Sequence, residues 1–132
     1  MKKVTECIEH YYKEKNYNCA ETIYAAAMEA WELPMPQDSV KLMAGFGHGL
    51  SCAITCGAIC GGTAAMSCRY VEGSGHTSPA LMRRVHRFVS LVRERMESTD
   101  CSELHDRYRT PEEHCFPTIK AIAEILDEVC EE

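Results

Sequence analysis

Apolar residues recur at the spacing of an α-helix along most of the chain, and no stretch alternates between apolar and polar positions as a half-buried strand does. Four apolar stripes stand out, and each predicts one buried helical face. They comprise Val4, Cys7, Ile8, Tyr11 and Tyr12; Cys19, Ile23, Ala26, Ala27 and Ala30; Leu81, Val85, Phe88, Val92 and Met96; and Ile119, Ile122, Leu126 and Val129. The pattern predicts an all-α fold.

Capping residues mark where the predicted helices begin. Asn18, with Glu21 three positions later, has the spacing of a capping box and predicts a helix that runs to about Trp31. The two prolines that follow end this helix, and a short helix is expected over residues 38–45.

The second half of the chain carries further start signals. Ser78 as N-cap and Pro79 at the first helical position predict the best-marked helix of the chain. Asp100 caps a short turn that starts at Cys101, and the last helix is expected over residues 117–130.

The middle of the chain is rich in glycine and alanine. Residues 45–52 contain too much glycine for a helix interior, whereas residues 52–70 are predicted to be helical again. A glycine inside a helix costs about 1 kcal/mol relative to alanine, so we expect close approach by another helix or a bound group there. No repeat or linker interrupts the pattern, which predicts one compact domain over residues 1–132, a bundle of about five to six helices.

Composition and charge narrow the function classes. The chain has 132 residues, of which 45% are hydrophobic and 26% charged, and a formal net charge of −6. The negative charge disfavours binding to nucleic acid or to an anionic membrane surface. No long uncharged apolar run could insert into a membrane.

The chain contains nine cysteines, an unusually large number. The N-terminal residues lack the apolar region of a secretory signal, and an odd number of cysteines fits poorly with a fully paired extracellular framework. We therefore expect a cytoplasmic, reducing location, where cysteine-dense sequences bind metal or perform redox chemistry.

Three cysteines in the middle of the chain follow a four-residue spacing. If residues 52–70 are helical throughout, Cys52, Cys56 and Cys60 lie on one helical face. Their Cβ atoms would then be about 5–6 Å apart, whereas a disulfide needs roughly 3.5–4.5 Å. These thiols could converge on a metal ion or cluster, or each could pair with a cysteine on another element.

Other cysteines lie at helix starts. Cys19 follows the cap Asn18 and Cys101 follows the cap Asp100, where free backbone N–H groups and the helix dipole favour an anion. We therefore expect lowered thiol pKa values at these positions. Cys115, which lies beside a histidine in a predicted turn, has a similar setting.

The remaining features have simpler interpretations. Cys7, Cys68 and Cys130 lie on or near apolar stripes and are expected to pack as small hydrophobic residues. His48 is either a ligand or proton donor or, more simply, an exposed loop residue. A run of five arginines on one predicted helix is expected to form a solvated face with ion pairs, and the acidic C-terminus to be a solubilising end. The arginines are Arg83, Arg84, Arg87, Arg93 and Arg95. The acidic C-terminal residues are Asp127, Glu128, Glu131 and Glu132.

An ordered set of short motifs resembles a known family. The motifs are Asn18-Cys19-Ala20-Glu21, Gly45-Phe46-Gly47, Cys56-Gly57-Ala58-Ile59-Cys60-Gly61, and the single cysteines Cys101 and Cys115. Their order is similar to that of the C_GCAxxG_C_C family of bacterial and archaeal redox proteins. The resemblance implies a small helical protein that is redox-active or carries a cluster.

A related domain in split-Soret-type cytochromes adds an iron–sulfur precedent by analogy. Covalent haem attachment is not expected, because the chain contains no Cys-x-x-Cys-His segment. The chain also has five cysteines beyond the four of the family pattern, which leaves open which thiols form the site. These five are Cys7, Cys52, Cys60, Cys68 and Cys130.

Three functional hypotheses follow. In the first, Cys19, Cys56, Cys101 and Cys115 converge and act as the catalytic residues of a thiol–disulfide oxidoreductase or in electron transfer, with a redox protein as partner. In the second, the same four cysteines bind an iron–sulfur cluster or zinc as cofactor, together with Cys52 or Cys60. In the third, the chain is a non-catalytic helical adaptor that uses the arginine-rich helix. The sequence is also compatible with assembly as a homodimer.

Overall fold

Five α-helices form most of the computed structural model, which describes all residues from 1 to 132. Three of the four apolar stripes lie on α-helices, whereas the stripe from Val4 to Tyr12 lies on short 3₁₀ and π-helical segments. The α-helices are α1 (Cys19–Ala30), α2 (Gly57–Tyr70), α3 (Pro79–Met96), α4 (Cys101–Tyr108) and α5 (Phe116–Glu131). Shorter 3₁₀ or π-helical segments lie at Val4–Glu6, His10–Glu14, Ser39–Phe46, Gly49–Ala53 and Gly75–Thr77. The all-α prediction is confirmed, although the helical segments outnumber the five to six that were predicted.

The most extensive helix packing is between α1 and α2. Small residues make this possible, since Ala20 and Ala27 in α1 and Ala58 and Ala65 in α2 are completely buried. At Gly61 the two backbones are so close that an added Cβ would collide with the carbonyl oxygen of Ala20. The glycine-rich sequence of α2 therefore serves close approach by another helix, one of the two expected alternatives.

The capping predictions have mixed outcomes. The capping box of α1 is present, because the Glu21 N–H donates to Asn18 Oδ1 (3.0 Å) and the Asn18 N–H donates to Glu21 Oε1 (2.9 Å). Ser78 occupies the predicted N-cap position of α3, but its hydroxyl donates to the Ser74 carbonyl (2.6 Å) and accepts from the Glu72 N–H (2.7 Å). Ser78 therefore holds the preceding loop in place and does not cap α3 through its side chain.

The prediction of a helix that begins near Cys52 is wrong, because α2 begins at Gly57. Left-handed backbone conformations interrupt the preceding segment at His48, Leu50 and Ser51, with φ between 53° and 60°. Such angles are uncommon for residues other than glycine and end a right-handed helix. Cys52 consequently lies outside α2, and the three cysteines do not form one helical face.

The acidic C-terminal residues have structural roles, so describing them as only a solubilising end is wrong. Asp127 is buried and accepts hydrogen bonds from the N–H of Val4 (2.6 Å), the N–H of Thr5 (3.2 Å) and the Thr5 hydroxyl (3.0 Å). Glu128 forms a two-pronged ion pair with Arg95, with N–O distances of 2.6 and 2.8 Å. Helix α5 therefore anchors both the N-terminal segment and α3.

Other arginines of α3 also have partners. Arg87 lies 3.4 Å from Glu132, and the Arg84 guanidinium lies 4.3 Å from the centre of the Tyr70 ring. Arg87 and Arg95 therefore form ion pairs as expected, whereas Arg84 packs on an aromatic ring and its Nε is buried without a hydrogen-bond partner. None of the helices combines the length and the apolar character needed to cross a lipid bilayer.

Candidate functional site

Four cysteines from four different helix starts line one cavity of about 190 Å³. Cys19 and Cys101 are the first residues of α1 and α4, and Cys56 and Cys115 directly precede α2 and α5. The remaining lining residues are Tyr12, Asn18, His48, Leu104, His105, Thr118 and Ile119. The structure therefore brings together the four cysteines singled out in the sequence, although they are far apart along the chain.

A short backbone pairing positions two of these helix starts. Thr55 and Asp100 form an isolated antiparallel bridge. The Cys56 N–H donates to the Thr99 carbonyl (2.9 Å), and the Cys101 N–H donates to the Ile54 carbonyl (2.5 Å). These bonds hold the starts of α2 and α4 next to each other, which places Cys56 and Cys101 in the same cavity wall.

The start of α1 is held against the start of α2 by a close contact at Gly57. A Cβ at this position would lie 2.5 Å from Cys19 Sγ and 2.7 Å from the Phe46 carbonyl oxygen. Both distances are well below van der Waals contact. Only glycine therefore lets Cys19 approach the α2 backbone in this way.

Burial opposes ionisation of the deeper thiols. Cys56 is only 5% exposed, and burial raises its pKa to about 12, with a further contribution from the charge of Cys19. The N–H groups of Ala58 and Ile59 at the start of α2 point at the Cys56 sulfur and counteract only part of this increase in pKa. At Cys56 the increase in pKa caused by burial exceeds the decrease caused by the N–H groups of the helix start. The Cys56 thiol is therefore protonated at neutral pH.

The pKa values of Cys19 and Cys101 are also raised, primarily by burial and secondarily by neighbouring thiols. The His48 N–H lowers the pKa of Cys19 in part. The expectation of lowered thiol pKa values at these helix starts is therefore wrong. The physical reason is that the cavity removes the sulfurs from water, and this effect exceeds that of the helix N-termini.

Two histidines lie at the cavity beside Cys101. The Nδ1 atom of His48 is 4.0 Å from Cys101 Sγ, and the His48 and His105 rings meet edge to face with centroids 6.4 Å apart. His48 is exposed, so a proton that it accepts can reach solvent. His105 was not identified from the sequence, although it follows Cys101 by four residues in α4 and therefore shares its helical face.

Tyr12 and Thr118 complete the cavity wall. The Cys115 N–H donates to the Tyr12 hydroxyl (3.1 Å), which fixes the start of α5 against the N-terminal segment. Thr118, one turn into α5, is 5% exposed, and its Oγ1 has no hydrogen-bond partner. Neither residue was identified as functional from the sequence, because Tyr12 belongs to an apolar stripe and Thr118 lies beside one.

The other five cysteines do not line the cavity. Cys52 is exposed on the irregular segment before α2, and Cys60 is half-buried within α2. Cys7 is buried and Cys130 half-buried against the core, as expected for packing residues. Cys68 is exposed, so the prediction that it packs in the core is wrong.

All nine cysteines are free thiols. No group of three or more histidine, cysteine, aspartate or glutamate side chains is arranged to hold a metal ion. The four cavity cysteines thus share one space without forming a ready coordination shell. Binding of a metal ion by these four cysteines would require their side chains to move.

The burial of the thiols predicts their order of alkylation by iodoacetamide. Cys52 and Cys68 are expected to be labelled first, Cys101 more slowly, and Cys56 only after unfolding. Because the pKa of Cys101 is raised, its labelling rate is expected to keep increasing with pH beyond about 8.5, the ordinary thiol pKa. Site-resolved mass spectrometry at several pH values measures these rates. Labelling of Cys56 as fast as Cys52 in the folded protein contradicts the described cavity.

The fold and the cavity define a class of small all-α proteins in which helix starts bring cysteines together. The chain belongs to the C_GCAxxG_C_C family, which is described as "Putative redox-active protein (C_GCAxxG_C_C)" and matches residues 17–129. The resemblance stated from the sequence motifs is thereby confirmed. Comparison with curated proteins and with solved structures finds no match.

Proposed function

We propose that this protein performs thiol–disulfide exchange at the cysteine-lined cavity, in a reducing, cytoplasmic compartment. The observation that carries the proposal is that four free thiols share one cavity, with a histidine next to one of them. Cys101 is the attacking residue, because His48 lies beside it. Cys115 is the resolving residue, because it lines the same cavity at the start of α5 and is only half-buried.

The first step forms a mixed disulfide. His48 accepts the proton of the Cys101 thiol, which compensates for the raised pKa of that thiol. The Cys101 thiolate attacks one sulfur of an oxidised partner, a bond forms between the two sulfurs, and the partner's own disulfide bond breaks. The departing partner sulfur leaves as a thiolate and takes up the proton held by His48.

The second step completes the transfer of two electrons. The half-buried Cys115 thiol loses its proton to solvent, and its sulfur attacks Cys101 Sγ in the mixed disulfide. The Cys101–Cys115 disulfide forms, and the second partner sulfur leaves and is protonated. In sum, one disulfide of the partner is reduced to two thiols while two thiols of this protein are oxidised to one disulfide.

Cys19 and Cys56 form a deeper pair in this proposal. Cys19 Sγ lies against Gly57, the residue that follows Cys56, so the two cysteines meet at the start of α2. Both stay protonated at neutral pH because burial raises their pKa values. They can receive the oxidation from Cys101 and Cys115 by internal exchange, which leaves the outer pair reduced for another partner.

A second candidate is an iron–sulfur or zinc site formed by the same four cysteines. The number of thiols favours it, because four cysteine ligands are the usual set for such centres. The present side-chain arrangement does not fit, since no three ligands are placed to hold an ion. Thiol–disulfide exchange requires only two thiols of the cavity to meet at a time, not three or four at once, and is therefore our first proposal.

The proposal is tested with protein purified without oxygen and carrying the substitutions Cys52→Ser and Cys68→Ser, which remove the two exposed thiols. Titration with oxidised dithiothreitol is expected to oxidise the thiols reversibly, and peptide mass mapping is expected to assign the first disulfide that forms to Cys101 and Cys115. Stoichiometric iron with visible absorption, or stoichiometric zinc, would instead support the second candidate. Seven unreactive thiols without metal would leave the adaptor hypothesis.

A further inference from the structure

The N-terminal segment holds the start of α5 at the cysteine-lined cavity. The Cys115 N–H donates to the Tyr12 hydroxyl (3.1 Å), a bond between residues that are 103 positions apart in the chain. The Tyr12 ring also packs against Phe116, with ring centroids 5.9 Å apart. One side chain thus holds both the backbone of Cys115 and the residue that follows it.

The next residue of the N-terminal segment makes a second contact with the same region. The Lys13 ammonium lies 3.6 Å from Glu113 Oε1 and 4.5 Å from the centre of the Phe116 ring. Exposed ion pairs contribute little to stability, whereas the hydrogen bond to Tyr12 is partly buried and has a defined direction. The Tyr12 hydroxyl is therefore the more specific of the two contacts.

The backbone that leads into Cys115 depends on such support. His114 has a left-handed conformation, with φ of 55°, and conformations of this kind persist only where the surrounding structure enforces them. Two hydrogen bonds between the backbones of His114 and Thr110 (2.7 and 3.1 Å) close the preceding turn on itself. The Cys115 N–H lies outside that turn, where the Tyr12 hydroxyl accepts its hydrogen bond.

We propose that Tyr12 is a positioning residue for Cys115 in the second step of exchange, the attack on the mixed disulfide at Cys101. This inference rests on the proposed function, because it assigns a role within that reaction. In this step the Cys115 thiolate attacks Cys101 Sγ, and an S–S bond forms between the two cysteines. The bond between Cys101 and the partner breaks, and the partner sulfur leaves with its electron pair. Tyr12 transfers neither a proton nor electrons.

The Tyr12 hydroxyl is suited to a role that is purely geometric. Burial raises its pKa, so the hydroxyl stays protonated and the ring carries no charge beside the thiols. A neutral oxygen accepts the hydrogen bond of the Cys115 N–H without opposing formation of the Cys115 thiolate. The hydroxyl therefore fixes where Cys115 lies and leaves its ionisation to the cavity.

Removal of the hydroxyl is expected to change two reactions of Cys115 in opposite directions. Tyr12→Phe keeps the ring against Phe116 and deletes the hydrogen bond. Because Cys115 is then misplaced for attack on Cys101, resolution of the mixed disulfide is expected to slow about tenfold. The same freedom exposes the thiol, so its alkylation by iodoacetamide is expected to become about three- to tenfold faster. A change in the intrinsic reactivity of the thiol would move both rates in the same direction.

The two steps of exchange are measured separately in the background that lacks Cys52 and Cys68. Reduced protein is mixed with hydroxyethyl disulfide, quenched with acid at successive times and analysed by intact-mass spectrometry. The added mercaptoethanol group appears when the mixed disulfide forms and disappears when it is resolved. Tyr12→Phe is expected to form the mixed disulfide at the parent rate, because Cys101 and His48 are unchanged.

Tyr17→Phe is the matched control. Tyr17 lies outside the cavity and stacks on Tyr11, with ring centroids 5.9 Å apart, so both steps are expected to proceed at the parent rates. Site-resolved alkylation of Cys56 reports on the fold, since this buried thiol is expected to stay unlabelled in both variants.

Several results overturn the positioning role and leave the exchange function intact. They are resolution at the parent rate in Tyr12→Phe, equal slowing of both steps, and alkylation of Cys115 no faster than in the parent. Rapid labelling of Cys56 in Tyr12→Phe also overturns it, because Tyr12 would then stabilise the fold as a whole. Absence of any mixed disulfide in the parent overturns the exchange function and, with it, the role of Tyr12 in resolution.

Discussion

Replacement of Cys101 by serine is expected to lower the rate of thiol–disulfide exchange by more than about 100-fold, because a serine hydroxyl does not attack disulfides at neutral pH. Cys101 is the cavity thiol whose sulfur contacts a histidine, at 4.0 Å from His48 Nδ1. No other cavity thiol has that contact to replace it. The rate is measured as reduction of hydroxyethyl disulfide in the background that lacks Cys52 and Cys68.

Replacement of Cys115 by serine separates attack from resolution. This variant is expected to form the mixed disulfide on Cys101 and to stop there, which intact-mass spectrometry detects as one added mercaptoethanol group. Cys130→Ser provides the matched control, because Cys130 is half-buried outside the cavity, and it should exchange at the parent rate. Undiminished exchange in Cys101→Ser would assign the attacking role to another thiol.

The features that the sequence predicts well are local ones. Asn18 and Glu21 are three residues apart, and their reciprocal hydrogen bonds form within one turn of α1. The apolar stripes likewise reflect the helical period, so the all-α class follows from them. The helical periodicity of the sequence gives no indication that Cys19 and Cys56 lie close together. That indication comes from the family motifs.

The start of α2 could not be predicted because tertiary contacts determine it. Residues 52–56 have side chains compatible with a helix, yet the chain pairs with residues 99–101 through the Thr55–Asp100 bridge. The N–H groups of Cys56 and Cys101 donate to carbonyl oxygens across this bridge and not to carbonyls within a helix. A partner about 45 residues away along the chain leaves no signal in a local window.

The ionisation of the thiols depends on the whole cavity. A helix start favours a thiolate, and the sequence shows the helix starts of Cys19 and Cys101 directly. Burial acts in the opposite direction and raises both pKa values. The extent of burial depends on how four helices close around the sulfurs.

Replacement of Gly61 by alanine is expected to lower the free energy of unfolding by about 2–3 kcal/mol through overpacking. In the interior of an ordinary helix this change stabilises by roughly 0.5–1 kcal/mol, so the expected sign is the reverse of the usual one. A Cβ here would collide with the carbonyl oxygen of Ala20 and would also lie 3.0 Å from its carbonyl carbon. Because these are backbone atoms, α1 and α2 must separate to accommodate the methyl group.

Gly45→Ala is the matched control, since nothing lies within 4 Å of a Cβ at that position. Urea denaturation followed by circular dichroism gives both free energies of unfolding, and Gly45→Ala is expected to remain within about 0.5 kcal/mol of the parent. Separation of α1 and α2 also displaces Cys19 from Cys56, so Gly61→Ala is expected to increase alkylation of Cys56 in the folded protein. Equal stability of the two alanine variants would contradict the close approach of α1 and α2, and with it the rigid placement of the two deeper thiols.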